Sequence, residues 1–253
     1  MDEKFLVFLD IDGTLAKHEK VIKENIEAIQ KVREKGHLVF INTGRGCQNI
    51  PQYIRSADYI DGFVAGIGAH IVINGKTIFS NPMDKDLING IVNAFLGSKH
   101  YVFFEGEDSL IQIGTVPSNN IKICITEKDG YKGDLLKYKL SKFTAINQGE
   151  YTQKQKDALN AFRLVDMTRY CEGTMKDNSK GEGLKRVAEY YNIPIKRTIA
   201  MGDSKNDIEM LKTAGISVVM GDGQIEAKEH ADFVSVPCEE GGVAYAIEKL
   251  LLK

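Results

Sequence analysis

The sequence predicts an α/β protein in which a parallel-sheet core is split by an inserted α+β domain. Two observations carry this. Short continuous apolar runs alternate with helically spaced ones over residues 1–82 and again over 178–253, the rhythm of strand-helix-strand units. Between them, from about Asp84 to Lys176, strictly alternating runs take over.

Phe5 to Leu9 is an unbroken apolar run and reads as a buried strand. Ile22, Ile26 and Ile29 recur at helical spacing, and His37 to Ile41, behind Gly36, reads as the next strand. Such units connect right-handed, with parallel strands and helices over both faces. In the insert, YVFFE (Tyr101–Glu105), LIQIG (Leu110–Gly114) and IKICIT (Ile121–Thr126) are expected as antiparallel strands. Helical stretches near Leu87–Leu96 and Thr152–Phe162 accompany them. Leu184, Val187, Ala188 and Tyr191 mark one face of a helix that Pro194 closes. Thr198–Met201, Ile216–Met220 and Phe233–Val236 follow as strands, and Val243–Leu252 as the last helix.

At 253 residues the chain is long enough for one large domain or two smaller ones, and 43% hydrophobic with 27% charged residues is ordinary for a globular protein. The net charge of −2, with no dense Lys/Arg block, excludes the usual nucleic-acid footprint. The apolar segment in MDEKFLVFLD is too short for a signal peptide. No run approaches the roughly 18 apolar residues of a membrane span, so a cytoplasmic monomer or homodimer is expected. Cys47, Cys124, Cys171 and Cys238 lie far apart without a CxxC pair and read as free thiols. His18, His37, His70, His100 and His230 show no metal-ligand spacing, and each reads as a surface or loop residue.

Open parallel sheets bind ligands outside the carboxyl ends of their strands. There the sequence places DIDGT (Asp10–Thr14), NTGR (Asn42–Arg45) and GDSKND (Gly202–Asp207), with NSKGEG (Asn178–Gly183) opening the Leu184 helix. Each fragment alone has a plain structural use: Asp-Gly turns, and capping boxes at Ser179/Glu182 and Ser204/Asp207. Together they bring acids, a hydroxyl and a lysine to one sheet edge. Phosphoryl transfer through a carboxylate needs that set: a nucleophile that splits one displacement into two, a divalent cation held by carboxylates, and a hydroxyl and ammonium on the transferring group.

In this order, DIDGT, NTGR, the lysine of SKGEG and GDSKND resemble the four motifs of the haloacid dehalogenase superfamily of Mg²⁺-dependent phosphotransferases. The insert between the Thr and Lys motifs resembles the C2-type cap of the Cof-like branch, mostly small-molecule phosphatases. The resemblance implies a Rossmann-like core over 1–82 and 178–253 and a cap over 83–177, with hinges near Pro82–Asp84 and Met175–Asn178. It implies Asp10 as nucleophile and metal ligand, and Asp12 as general acid/base whose backbone carbonyl also touches the metal. Thr43, with Gly44 beside it, and Lys180 bind phosphate. Asp203 ligates the metal, Asn206 and Asp207 support phosphate and metal, and Ser204 contacts metal-bound water. The implied substrate is a small phosphate ester, such as a sugar phosphate.

Two other readings use similar parts. A phosphomutase passes the same aspartyl-phosphate to another hydroxyl, and a receiver module carries a long-lived one without turnover. GIGAH (Gly66–His70) stands where Cof-like sequences often carry Asn-Gly-Ala, and Lys176 and Lys185 are rivals to Lys180. Lys180 is favoured because it opens a capped helix beside Gly181.

Overall fold

A computed structural model of the chain describes residues 4–114, 123–125, 135–167 and 169–252. Eight strands form the larger sheet, in the spatial order Phe233–Val234, Ile216–Val219, Thr198–Gly202, Leu6–Leu9, Leu38–Asn42, Gly62–Ala65, His70–Ile73 and Lys76–Ser80. The first six run parallel, and the last two fold back antiparallel at one edge.

The Leu6–Leu9 strand lies at the centre and is buried on both sides, which is why its sequence is apolar throughout rather than alternating. Val7 and Leu9 pack with Ile29, Val32, Val243 and Ile247 from the helices Lys23–Glu34 and Gly242–Leu250. Leu6 and Phe8 join Leu184, Val187, Met210 and Leu211 from the helices Lys180–Tyr190 and Ile208–Thr213. One strand thus serves two cores through its period of two.

A second sheet of six strands runs in the order Ile123–Ile125, Leu110–Ile113, Tyr101–Gly106, Leu140–Ile146, Tyr170–Thr174 and Arg163–Met167. The helix Lys85–Phe95 covers one face, where Ile88, Ile91 and Phe95 meet Val102, Phe104, Ile111 and Phe143. The opposite face turns Glu105, Lys142 and Glu172 toward the larger sheet.

Three expectations are corrected. Ile123–Ile125 pairs parallel with Leu110–Ile113, not antiparallel; Ile121, Lys122 and Thr126 of that run lie outside the described residues. The helix carrying Leu184 ends at Tyr190, and Pro194 instead opens a short 3-10 turn at Ile195–Arg197. His70 is neither at the surface nor in a loop: it is 6% exposed and a strand residue, whereas His100, a loop residue as expected, is buried at 2% exposed. His37, a loop residue as expected, is also buried, and its Nδ1 accepts from the Phe5 amide. All four cysteines are unpaired with one another, and among the described residues no helix is long and apolar enough to cross a membrane.

Candidate active site

Three parallel strands end just before the residues singled out from sequence: Asp10 follows Leu6–Leu9, Thr43 follows Leu38–Asn42, and Asp203 follows Thr198–Gly202. Lys180 is the first residue of its helix, whose N-terminus is set by Ser179, the side chain of which accepts from the Glu182 amide at 3.0 Å. Asn42 Nδ2 donates to the Lys180 carbonyl at 2.9 Å, tying that helix start to the Thr43 strand end. The GIGAH turn supports the same point. Gly66, Ile67 and Gly68 all hold positive φ, at 60°, 58° and 85°, and a Cβ on Gly68 would run into the Ser179 carbonyl.

Lys180 is fully buried, and its Nζ donates to Asp10 Oδ1 and Asp207 Oδ1, both at 2.6 Å, and to Asn206 Oδ1 at 3.2 Å. The rival lysines do not compete: Lys176 is exposed, and Lys185 pairs with Glu182 on the outer helix surface. Asp207 Oδ2 accepts from the amides of Asp203 and Ser204 at 2.9 and 3.0 Å, so Asp207 braces the turn that presents Asp203. The capping box expected at Ser204/Asp207 is formed, whereas at Ser179/Glu182 only the serine half is made. Gly13, at φ +81°, approaches Asp203 so closely that a Cβ there would sit 2.6 Å from its Oδ2.

Oxygens of Asp10, Asp203 and Asp207 lie within 4.8 Å of one another. Against three carboxylates stands one ammonium. Burial pushes Asp10 from 3.8 up to about 7 despite Lys180, with Asp207 adding repulsion. Burial, then Asp207 and Asp10, push Asp203 to about 8. Burial disfavours the Lys180 charge, but Asp10 and Asp207 more than offset this and raise its pKa. A cluster of hard oxygen donors left short of positive charge suits a hard divalent cation. All three acids offer an oxygen to it; both Asp207 oxygens already accept from Lys180 and from two backbone amides, whereas Asp10 and Asp203 each accept through one oxygen.

The Asp12 carboxylate is not in this cluster. The strand has already ended, and Asp12 points outward, bound by Arg45 Nε at 2.7 Å and Nη2 at 2.6 Å. Thr43 is 1% exposed and its Oγ1 accepts from the Arg45 amide at 3.1 Å.

Asp10, Asp12, Thr43, Gly44, Asp203 and Asn206 line a cavity of about 460 Å³. The second sheet closes it with Met167, Tyr170 and Glu172. A neighbouring crevice of about 670 Å³, lined by Gln48, Asn49, Glu105 and Lys142 among others, shares Arg45 with it. Between the two runs a buried triad that sequence reasoning did not single out. Lys142 Nζ bridges Glu105 Oε1 at 3.0 Å and Glu172 Oε1 at 2.5 Å. Glu105 Oε2 crosses to the larger sheet's loop, accepting from the Gly46 amide at 2.8 Å and Asn49 Nδ2 at 2.7 Å. Burial disfavours the Glu105 charge, but Lys142 and the Gly46 amide outweigh it and lower its pKa. The available signal was a lone charge inside each apolar strand run, as in LSKFTAI.

Residues 7–247 match the family of haloacid dehalogenase-like hydrolases. YkrA of Bacillus subtilis, named as a phosphatase, is 32% identical over 100% of both chains. The 5-amino-6-(5-phospho-D-ribitylamino)uracil phosphatase YitU of the same organism is 28% identical over 95% of each. A Geobacillus kaustophilus protein of solved structure superposes with a TM-score of 0.86 at 25% identity, covering 99% of this chain and 100% of its own. The chain belongs to the haloacid dehalogenase-like hydrolases and is an enzyme of phosphatase type.

Proposed function

We propose that the enzyme hydrolyses a small phosphorylated metabolite through an aspartyl-phosphate on Asp10, with Mg²⁺ held by Asp10 and Asp203. The observation that carries this is the Lys180 bridge: one buried ammonium holds Asp10 at a strand end, beside Asp203, which has no ion-pair partner among the described residues. When bound, Mg²⁺ offsets repulsion between the carboxylate and the phosphate.

Asp10 attacks phosphorus, forming an O–P bond as the ester oxygen leaves with a proton from Asp12. Asp12 then takes a proton from water, whose oxygen attacks phosphorus and frees Asp10 and inorganic phosphate. Arg45, bound to both Asp12 oxygens, must release at least one for these transfers. Thr43, Gly44, Lys180 and Asn206 receive the phosphate, with the Asn206 amide nitrogen left facing the cavity because its Oδ1 is taken by Lys180 and Ser204. Asp207 supports Asp203 and Lys180 rather than the cation directly.

Residues 83–177 serve as the cap and 1–82 with 178–253 as the catalytic core, with hinges near Pro82–Asp84 and Met175–Asn178, in a cytoplasmic enzyme. YitU is named for a phosphate on a ribitylamino chain, and a sugar phosphate or similar ester suits a cavity of about 460 Å³.

The test is release of phosphate from an aryl phosphate. It requires Mg²⁺, stops with chelator, and falls at least about 10³-fold in Asp10→Asn. Activity unaffected by Asp10→Asn would remove the nucleophile.

A further inference from the structure

We propose that Glu172 selects the alcohol half of the ester, favouring alcohols that carry a hydroxyl or ammonium donor beside the ester carbon and rejecting those that carry a carboxylate or second phosphate there. This rests on the phosphatase reading above and names the substrate class of the same site.

Glu172 lies on the Tyr170–Thr174 strand and is 7% exposed. Its Oε1 is fixed by Lys142, while its Oε2 receives no hydrogen bond from the described residues. That oxygen faces the phosphate loop: a Cβ built on Gly44 would lie 3.3 Å from it and 3.5 Å from Asn206 Nδ2. A group attached to a phosphate held by Gly44 and Asn206 therefore starts beside the Glu172 carboxylate.

The charge there is not cancelled. Lys142 is shared by two carboxylates, so the triad keeps a surplus negative charge. Glu105 spends its oxygens on Lys142, the Gly46 amide, Asn49 and Thr144. Acceptor capacity remains at Glu172 Oε2 alone of the triad. The second sheet's other contributions to the cavity, Met167 and Tyr170, bring no positive charge, and the guanidinium on the lining, Arg45, is held in the resting site by the Asp12 carboxylate on the opposite, larger-sheet side. A hydroxyl or ammonium on the alcohol donates to Oε2. A carboxylate meets a like charge there, which costs several-fold to about a hundredfold in affinity.

Four esters differing at one position test this: ethyl phosphate, 2-hydroxyethyl phosphate, 2-aminoethyl phosphate and 2-phosphoglycolate, each followed by Mg²⁺-dependent phosphate release. For the wild type, kcat/KM is lowest for 2-phosphoglycolate, by about tenfold or more against 2-hydroxyethyl phosphate. Glu172→Gln, which keeps the shape and leaves Lys142 paired with Glu105, raises the ratio of 2-phosphoglycolate to ethyl phosphate by about tenfold or more. Wild-type turnover of 2-phosphoglycolate equal to that of 2-hydroxyethyl phosphate overturns the proposal without any variant. So does a ratio unchanged in Glu172→Gln. Absence of release from all four esters and from an aryl phosphate would instead overturn the phosphatase reading, and this proposal with it.

Discussion

Removing the divalent cation should make the protein's stability fall steeply as pH rises, and the acid cluster sets the size of the effect. Without a cation, burial places Asp10 at about 7 and Asp203 at about 8, both from 3.8. Between the unfolded and folded values the native state binds protons that the unfolded chain does not, so stability is lost as pH increases through that window. From about pH 5 to pH 8 this amounts to about 3 kcal/mol at Asp10 and about 4 at Asp203, at 1.36 kcal/mol per unit. Because burial and the shared neighbour Asp207 raise both groups and the two titrations are not independent, about 7 kcal/mol is a ceiling. Bound Mg²⁺ takes the place of the protons, stabilising strongly at pH 8 and weakly at pH 5.

Urea unfolding followed by circular dichroism, with chelator or with millimolar Mg²⁺ at both pH values, measures it. His70, whose pKa is lowered by burial, contributes with the opposite sign. It does so equally with and without Mg²⁺, and cancels in the difference. Equal Mg²⁺ stabilisation at the two pH values would refute the reasoning. Asp203→Asn should remove most of the Mg²⁺ effect.

Two further substitutions probe the same cluster. Lys180→Met leaves Asp10 and Asp207 buried without their ammonium and should cost about 3–5 kcal/mol at pH 8 in chelator, read from urea midpoints; Mg²⁺ should recover part of it. Gly13→Ala places a methyl against Asp203 at a positive φ. It should lose about 1–2 kcal/mol from backbone strain and raise the Mg²⁺ concentration for half-maximal activity, whereas Gly36→Ala, also at positive φ but with nothing near its Cβ, should show the strain without the metal effect.

The strand ends were readable because a buried run cannot carry charge, so the first acid or hydroxyl after it marks where the sheet edge begins. Asp10, Thr43 and Asp203 all sit one residue past their strands. Lys180 was readable from its capped helix start. Where the Asp12 carboxylate goes was not readable, because the chain turns at once after the strand and sends it to Arg45, a partner 33 residues away. Glu105, Lys142 and Glu172 were opaque for a different reason. Each is one polar residue on an alternating strand, and its partner lies 30 to 37 residues away on a neighbour whose register the sequence does not state. The parallel pairing of Ile123–Ile125 escaped notice likewise, because alternation reports a face and not a direction.

Glu105 also bears on how the enzyme lets molecules in and out. Opening of the proposed cap would break its contacts to Gly46 and Asn49, with Lys142 and Glu172 moving along with Glu105 because they belong to the same sheet. Within the triad, no carboxylate is parted from its ammonium by such a movement. Each of these two bonds surrendered to water costs about 1 kcal/mol net, while the paired ions stay together on the second sheet and hold its underside in shape.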